Sequence, residues 1–301
     1  MYQKSIVCCY LYVITKYGYP PPAEDTLQHL QEIKNLGFAS LELEGIRHEH
    51  LLGVFNLREK LVEKIKSLNL KVPYFCIVLP GLAAEDERER LMNLELFEKG
   101  CEIATAIQSI GVLDNAPLPP YHFPQNIPLV RHYDEEVLQA AKLSKNINWK
   151  KYWNGLIATY QQACEIAAAK KLTYHLHPCL GVMANSAESF LRFYDTVGRD
   201  NLRFNLDTAN QYYLKENLLL ALHSLSGLID YIHLSDNRGK QVEHIIPGKG
   251  KIDWTGFFET LETLGFSGHI GLDIGGEESD VKDIDEAYIN AAKWVEEKWK
   301  L

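Results

Sequence analysis

Four apolar segments of the chain each carry, at or near the carboxyl end, a side chain that could bind a metal ion. These side chains are His175, Asp207, His233 and Asp273. Imidazole and carboxylate groups are common metal ligands. When such groups are buried together, they repel one another or lose solvation unless a cation or a full hydrogen-bond network compensates them. The pattern therefore predicts one divalent metal ion, if the fold brings the four segment ends together.

Other polar side chains near the same ends could contact a substrate or transfer a proton. His177 lies two residues beyond His175 and faces the same side if the segment is a strand. Glu44 ends an earlier apolar segment, and we expect it to point into the same site as a base or as a group that orients the substrate. In a glycine-rich turn, Lys249 could meet a phosphate or carboxylate. His244, ahead of that turn, could bind substrate or cap the turn.

Eight apolar segments alternate with segments of helical period along the chain. The predicted strands are 5–13, 38–44, 71–79, 109–113, 172–177, 202–207, 229–235 and 269–274. Between them, apolar residues recur every three or four positions, which predicts helices that bury one face. Strict alternation predicts parallel strands, right-handed crossovers and closure into a single (β/α)8 TIM barrel, one domain over residues 1–301. A doubly wound open sheet is the structural alternative.

Residues 114–150 break this alternation. The interval has no clear period and contains five of the twelve prolines. It also contains several aromatic and histidine side chains, namely Tyr121, His122, Phe123, His132 and Trp149. Loops of this length are usually functional lids or disordered. We predict a lid-like insertion after strand four, with a plain surface excursion as the alternative.

The composition limits the class of partner. The 301-residue chain has a net charge of −9 and few basic runs, which argues against a nucleic-acid partner. No run approaches the roughly 20 apolar residues that a membrane helix needs, so we expect a soluble protein with no membrane partner. The six cysteines include no CxxC pair, which predicts reduced, mostly buried thiols and a cytoplasmic location.

The motifs at the segment ends form a specific series. They are His175-x-His177, Asp207-Thr208-Ala209-Asn210, His233-Leu234-Ser235-Asp236, Gly248-Lys249-Gly250-Lys251-Ile252-Asp253-Trp254 and Asp273. The series resembles the xylose isomerase-like barrel family of sugar phosphate isomerases and epimerases, which also includes inosose dehydratase and endonuclease IV. The resemblance spans most of the chain. It implies metal ligands at His175, Asp207, His233 and Asp273, and substrate contacts at His177 and Asn210.

The resemblance also implies a reaction, a cofactor and a substrate class. We expect a sugar isomerase or epimerase that acts on a keto sugar through an enediolate, with Glu44, His177 or Asp273 as the base. Two imidazoles and two carboxylates favour Mn²⁺, with Zn²⁺, Co²⁺ or Fe²⁺ as alternatives. The substrate is then a small carbohydrate, and since related barrels often pair through their helices, a homodimer is one option.

Two alternatives to epimerisation stay open. The family usually has glutamates where this chain has His175 and Asp273, and those glutamates exchange the substrate proton. The altered pair makes a metal-dependent lyase or dehydratase, acting on a keto sugar or keto-inositol, the second hypothesis. A non-catalytic sugar-binding barrel is the third. Phosphodiester cleavage would use a larger zinc cluster and a basic groove, and the sequence shows neither.

Overall fold

A computed structural model describes residues 1–124 and 133–299 of the protein. Within these residues, nine parallel strands form one sheet in the order β2-β1-β9-β8-β7-β6-β5-β4-β3. The strands are β1 (Ile6–Cys8), β2 (Ser40–Leu41), β3 (Leu43–Ile46), β4 (Tyr74–Val78), β5 (Gly111–Asn115), β6 (Thr173–His177), β7 (Leu202–Asp207), β8 (Tyr231–Leu234) and β9 (His269–Leu272). Their side chains are almost all buried, as expected for parallel strands covered by helices.

The two ends of this strand order are parts of one interrupted strand. Only Glu42 separates β2 from β3, and its amide N–H donates a hydrogen bond to the carbonyl oxygen of Cys8 at 2.9 Å. β2 pairs with β1, whereas β3 pairs with β4. The interrupted strand therefore joins both edges, and the nine strands occupy eight positions of a nearly closed barrel. The predicted (β/α)8 fold is confirmed, and the open-sheet alternative is wrong.

Helices surround the sheet and also occupy several loops. In the described part of the chain they are α1 (Leu11–Tyr17), α2 (Thr26–Asn35), α3 (Arg47–Ser67), α4 (Glu87–Ala106), α5 (Glu135–Ala140), α6 (Trp149–Ala169), α7 (Ala187–Val197), α8 (Thr208–Tyr213), α9 (Leu218–Ser224), α10 (Trp254–Thr263) and α11 (Ile284–Lys298). Two 3-10 helices cover Ala23–Asp25 and Pro80–Ala83. None of these helices is long and apolar enough to cross a membrane.

The first predicted strand is too long. Of residues 5–13, only Ile6–Cys8 are in a strand, and α1 begins at Leu11. Leu11, Tyr12 and Val13 are as deeply buried as the strand itself. A continuous apolar run has no period that separates a buried strand from a buried helix, which explains the error.

The interval 114–150 contains more regular structure than its sequence suggested. Asp114 and Asn115 complete β5, α5 lies in the middle of the interval, and Trp149 begins α6. His122 and Lys142 exchange two backbone hydrogen bonds of 2.7 and 3.0 Å, which fastens the described parts together. His132 lies outside the described residues. Closure of this interval over the barrel mouth stays a prediction.

Candidate functional site

Five buried side chains meet at the carboxyl ends of β6 to β9. They are His177, Asp207, His233, His244 and Asp273. The Oδ2 atom of Asp207 lies 3.3 Å from Nε2 of His177 and 3.5 Å from Nε2 of His244. Oδ2 of Asp273 lies 3.7 Å from Nε2 of His244 and 3.8 Å from Nδ1 of His233. We call these five residues the ligand cluster.

The strand ends hold Asp207 in a single orientation. Asp207 is the last residue of β7 and the N-cap of α8, where its Oδ1 atom accepts the amide N–H of Asn210 at 2.8 Å. The side-chain amide of Asn210 donates to Oδ2 at 2.9 Å and lies 3.4 Å from Nε2 of His177. Side chains that cap a helix have few alternative rotamers. Oδ2 of Asp207 is therefore directed at the two imidazoles.

Two imidazoles of the ligand cluster are each held by an outer carboxylate. Nε2 of His233 lies 3.1 Å from Oε2 of Glu42, and Nδ1 of His244 lies 3.2 Å from Oε1 of Glu278. In both rings the other nitrogen points into the cluster. Metal-binding histidines commonly have this arrangement, because the carboxylate fixes the tautomer and raises the basicity of the ring. Both outer carboxylates were missed in the sequence.

The charges of the cluster are strongly coupled. Burial alone would raise the pKa of Asp207, but the hydrogen bond and charge of His244, together with His177 and His233, lower it. Burial alone would lower the pKa of His233, but the charge and hydrogen bond of Glu42, with Asp273 and Asp207, raise it to about 9. The site therefore stabilises positive charge among its carboxylates.

These residues fit a divalent metal ion. Donor atoms of His177, Asp207 and His233 all lie within 4.8 Å of one another, and so do those of Asp207, His244 and Asp273. Nδ1 of His233 is buried and has no hydrogen-bond partner among the described residues, which is unusual for a buried polar atom. The adjoining cavity of about 40 Å³ has room for an ion and a few small groups.

A third group of donors, formed by Cys9, Glu42 and His233, has a different character. Burial and the charge of Glu42 raise the pKa of the Cys9 thiol well above its usual value. Only a thiolate is a strong metal ligand. Sγ of Cys9 instead lies 3.4 Å from the hydroxyl of Tyr231, which donates to Glu42 at 2.9 Å. Tyr231 and Cys9 therefore help to hold the Glu42 carboxylate in position rather than bind a metal ion.

The structure does not bring the predicted ligand His175 to the cluster. Its Nε2 atom is paired with the carboxylate of Asp230, its Nδ1 atom lies 3.2 Å from the carbonyl oxygen of Val112, and its ring contacts Tyr74. Two residues along a strand span about 6–7 Å, so His175 faces the same side as His177 but lies deeper in the barrel. His177 occupies the position in the cluster that the sequence had suggested for His175.

The remaining predicted residues divide into two groups. Glu44 lines the inner cavity together with His177, Asn210, His244 and Asp273. In contrast, Lys249 is exposed and does not line this inner cavity.

The turn that carries Lys249 is fastened by Asp236 of the His-x-x-Asp motif. Oδ2 of Asp236 accepts hydrogen bonds from Gly248 N–H and from Trp254 Nε1–H, both at 2.8 Å. A Cβ atom at Gly250 would lie only 2.1 Å from Oδ1 of Asp236. The glycine motif therefore has a structural role in this chain.

Comparison with known proteins identifies the family. The sequence model described as xylose isomerase-like TIM barrel matches residues 30–298. The chain belongs to this family. Among curated members, it is 22% identical over 264 residues to the L-ribulose-5-phosphate 3-epimerase UlaE of Escherichia coli, covering 85% of this chain and 84% of that protein. It is 24% identical over 148 residues to the inosose dehydratase of Clostridium perfringens, covering 44% and 49%.

A solved structure shows the same fold. The 3-keto-D-glucoside 4-epimerase YcjR of Escherichia coli superposes with a TM-score of 0.71 at 19% identity, over 98% of this chain and all of that one. The agreement extends over the whole barrel and not only over the motifs at its carboxyl end.

Proposed function

We propose that the protein is a divalent-metal-dependent epimerase or isomerase of a keto sugar. The observation that carries the proposal is the ligand cluster, in which buried imidazoles and carboxylates converge at the mouth of the barrel. In TIM-barrel enzymes, catalytic groups lie at this end of the strands. The similarity to an epimerase of L-ribulose 5-phosphate and to an epimerase of a 3-keto-D-glucoside supports the choice of substrate class.

His177, Asp207, His233 and Asp273 would hold the ion, with His244 as a fifth donor. Three imidazoles and two carboxylates are better suited to Mn²⁺, Zn²⁺, Co²⁺ or Fe²⁺ than to Mg²⁺, and we favour Mn²⁺. When bound, the ion would polarise the carbonyl and adjacent hydroxyl oxygens of a keto sugar and so acidify the C–H bond between them. Glu42 and Glu278 keep His233 and His244 in the required tautomers.

Glu44 is our candidate for the base that exchanges the proton of that C–H bond. It is on β3, which lies opposite β7 and Asp207 when the eight barrel positions are counted. It also lines the inner cavity that the ligand cluster borders. We propose that Glu44 removes the proton from one face of the sugar. Asp273 then returns a proton taken from solvent to the other face, which inverts the carbon.

A lyase is the second candidate, because removal of the same proton can be followed by loss of a neighbouring hydroxyl group. The similarity of part of the chain to the inosose dehydratase of Clostridium perfringens supports this candidate. Proton removal by Glu44 followed by loss of the β-hydroxyl as water would give an unsaturated keto product.

Incubation in D₂O separates these functions. The protein is supplied with Mn²⁺ and given a panel of keto sugars and keto-inositols, and the products are followed by NMR and by absorbance near the ultraviolet band of an enone. A deuterated epimer or isomer supports the first function, and an unsaturated product supports the second. If neither product forms, and the protein still binds sugar equally well after the metal is removed, only the non-catalytic sugar-binding barrel is left.

The variant Glu44→Gln tests the proposed base. It should bind metal as the parent does and lose deuterium incorporation. Glu49→Gln is the matched control. Glu49 is exposed in the first turn of α3, so this substitution removes the same charge outside the cavity.

A further inference from the structure

Three cavities lead from the ligand cluster to the surface. The inner cavity borders the cluster and Glu44. A middle cavity shares four wall residues with it, namely Tyr19, Val78, Asn115 and Cys179. An outer cleft of about 1080 Å³ shares five wall residues with the middle cavity, namely Arg47, Leu79, Pro80, Leu118 and Tyr133. The shared wall residues show that the three cavities adjoin one another in this order.

The small inner cavity limits which part of a substrate can lie at the cluster. At about 40 Å³ it accommodates the reacting carbons and their oxygens, but not a whole sugar. The rest of the substrate must extend outward through the middle cavity, whose wall is mainly apolar. Groups at the outer end of that cavity therefore contact the end of the substrate that does not react.

Arg47 is the residue at that outer end. It lines both the middle cavity and the outer cleft. Of the described residues that line the three cavities, it is the one lysine or arginine. Its charged neighbours on the cleft wall are acidic, Glu85, Asp86 and Glu89. Among the described wall residues, the positive charge that could attract an anion is therefore that of Arg47, apart from the cation of the proposed metal site.

The guanidinium N–H groups of Arg47 have no acceptor among the described residues. Its guanidinium makes no hydrogen bond or ion pair with a described residue, and its Nε atom is buried. Buried donors almost always have a partner, so such an atom calls for a ligand or water. Arg238 provides a contrast, because its guanidinium is held by Glu243 at 3.0 Å and also by Asp280.

Arg47 has a strained backbone conformation. Arg47 follows β3 directly and has φ of +52°, in the left-handed region that side chains other than glycine rarely adopt. Such strain persists mainly where a side chain is needed in one particular direction, and functional sites are enriched in it.

We infer that Arg47 binds an anionic group at the end of the substrate remote from the reacting carbons. A phosphate or a carboxylate matches the planar fork of a guanidinium, which forms two parallel hydrogen bonds with either. The substrate is then a phosphorylated keto sugar or a keto-sugar acid. This inference rests on the proposed function, because that function places the reacting carbons at the ligand cluster.

Binding and turnover of three matched sugars test the inference. The metal-loaded protein is titrated calorimetrically with D-fructose, D-fructose 6-phosphate and D-fructuronate, and any turnover is followed by NMR. The parent should bind one of the two anionic sugars at least about tenfold more tightly than fructose, which corresponds to about 1.4 kcal/mol. The sugar with the higher affinity shows whether the site prefers a phosphate or a carboxylate.

Arg47→Met should remove that gain and leave fructose binding unchanged. Where turnover occurs, the loss should appear in KM for the anionic sugar and not in kcat. Arg47→Lys should keep part of the gain, since it keeps the charge but not the fork. The matched control is Arg58→Met, which removes the same charge from α3 at a site outside the three cavities. Thermal melts and metal content show that each variant is folded and loaded.

The outcomes distinguish the inference from the proposed function. Equal affinity of the parent for all three sugars, or an equal loss for fructose and the anionic sugars in Arg47→Met, overturns the inference and leaves the function standing. Selective binding of an anionic sugar that Arg47→Met abolishes, without turnover of any sugar in the wider panel, supports the anion site and counts against the enzyme.

Discussion

Replacing Glu42 by Gln should weaken metal binding through His233 without removing any ligand. Glu42 has a side chain that is 2% exposed, and its Oε2 atom contacts Nε2 of His233 at 3.1 Å and the hydroxyl of Tyr231 at 2.9 Å. Its Oε1 atom accepts the amide N–H of Tyr10 at 3.4 Å. An amide of the same shape loses the negative charge and places an NH₂ group beside one of these donors.

The size of the effect follows from the role of the carboxylate. Carboxylates that hold a ligating imidazole typically contribute 10- to 100-fold to metal affinity, or about 1.4 to 2.7 kcal/mol. If the Gln side chain turns its NH₂ group toward His233, Nε2 must lose its proton and Nδ1 must carry one, which blocks the atom that faces Asp273. Either orientation lowers the affinity.

The pH of the measurement matters, because protons compete with the metal for His233. In the metal-free protein its pKa is raised to about 9, so the ring is charged at pH 7 and binding must expel a proton. The variant loses the main cause of this shift and is less affected by that competition. The affinity gap should therefore be widest near pH 9 and narrower at pH 7. Calorimetric titration with Mn²⁺ under argon at both pH values measures it.

Tyr231→Phe is the matched control. It removes a hydrogen bond to the same oxygen of Glu42 but leaves the contact with His233. Its metal affinity should stay close to that of the parent. An unchanged affinity of Glu42→Gln at pH 9, or an equal loss in Tyr231→Phe, would refute the role assigned to the Glu42–His233 contact.

Three further predictions follow from the packing and burial of particular residues. Gly271→Ala should lower the free energy of unfolding in urea by about 1–3 kcal/mol, because its Cβ would lie 2.4 Å from Sγ of Cys9 and 2.6 Å from the hydroxyl of Tyr231; an unchanged stability would show that the core yields easily. Burial raises the pKa of Asp114 well above its usual value, so the native state binds more protons than the unfolded state above about pH 4, and its stability falls as the pH rises. Asp114→Asn should remove this fall, so that its gain over the parent in urea unfolding increases from pH 4 to 7; a constant difference would contradict the cause given. Ellman's reagent should modify Cys179 rapidly and the five buried thiols slowly, and substrate should protect Cys179, since it lines the inner and middle cavities; fast reaction of several thiols would be inconsistent with the burial.

The architecture of the barrel could be predicted because it depends on a repeated local pattern. Apolar segments and helical periods alternate, and seven of the eight predicted strands differ from the observed ones mainly at their ends. The first strand was predicted too long, since α1 continues the same apolar run. The break at Glu42 leaves no signal of its own, because it arises where one strand pairs with two different neighbours.

The ligand cluster could be predicted only in part. Asp207 ends β7, His233 is the last residue but one of β8, and Asp273 directly follows β9. Their positions near the strand ends are enough to predict that they lie at the mouth. His175 and His177 share a face, so the sequence cannot tell which of them reaches the mouth. Two features of the fold determine which histidine reaches the mouth. His175 lies deeper along the barrel than His177, and it pairs with Asp230, which lies 55 residues further along the chain.

The outer carboxylates could not be assigned from spacing. Glu42 lies 191 residues before His233, and the contact exists because closure of the barrel brings the interrupted strand and β8 to the same interior. Glu42 and Glu44 lie on one face of the interrupted strand, and nothing in their spacing indicates a separate role for Glu42. Arg47 was missed for a similar reason, since its unused donors and positive φ are visible only in the structure.

Metal content after purification without added metal tests the central claim most directly. Mass spectrometry should find one divalent ion per chain in the parent protein and in a folded His175→Gln variant, because His175 is paired with Asp230 away from the cluster. His177→Ala and His233→Ala should retain almost none. Metal that is lost from His175→Gln but kept by His177→Ala, or a parent that binds no ion even when Mn²⁺ is supplied, would contradict the proposed metal site.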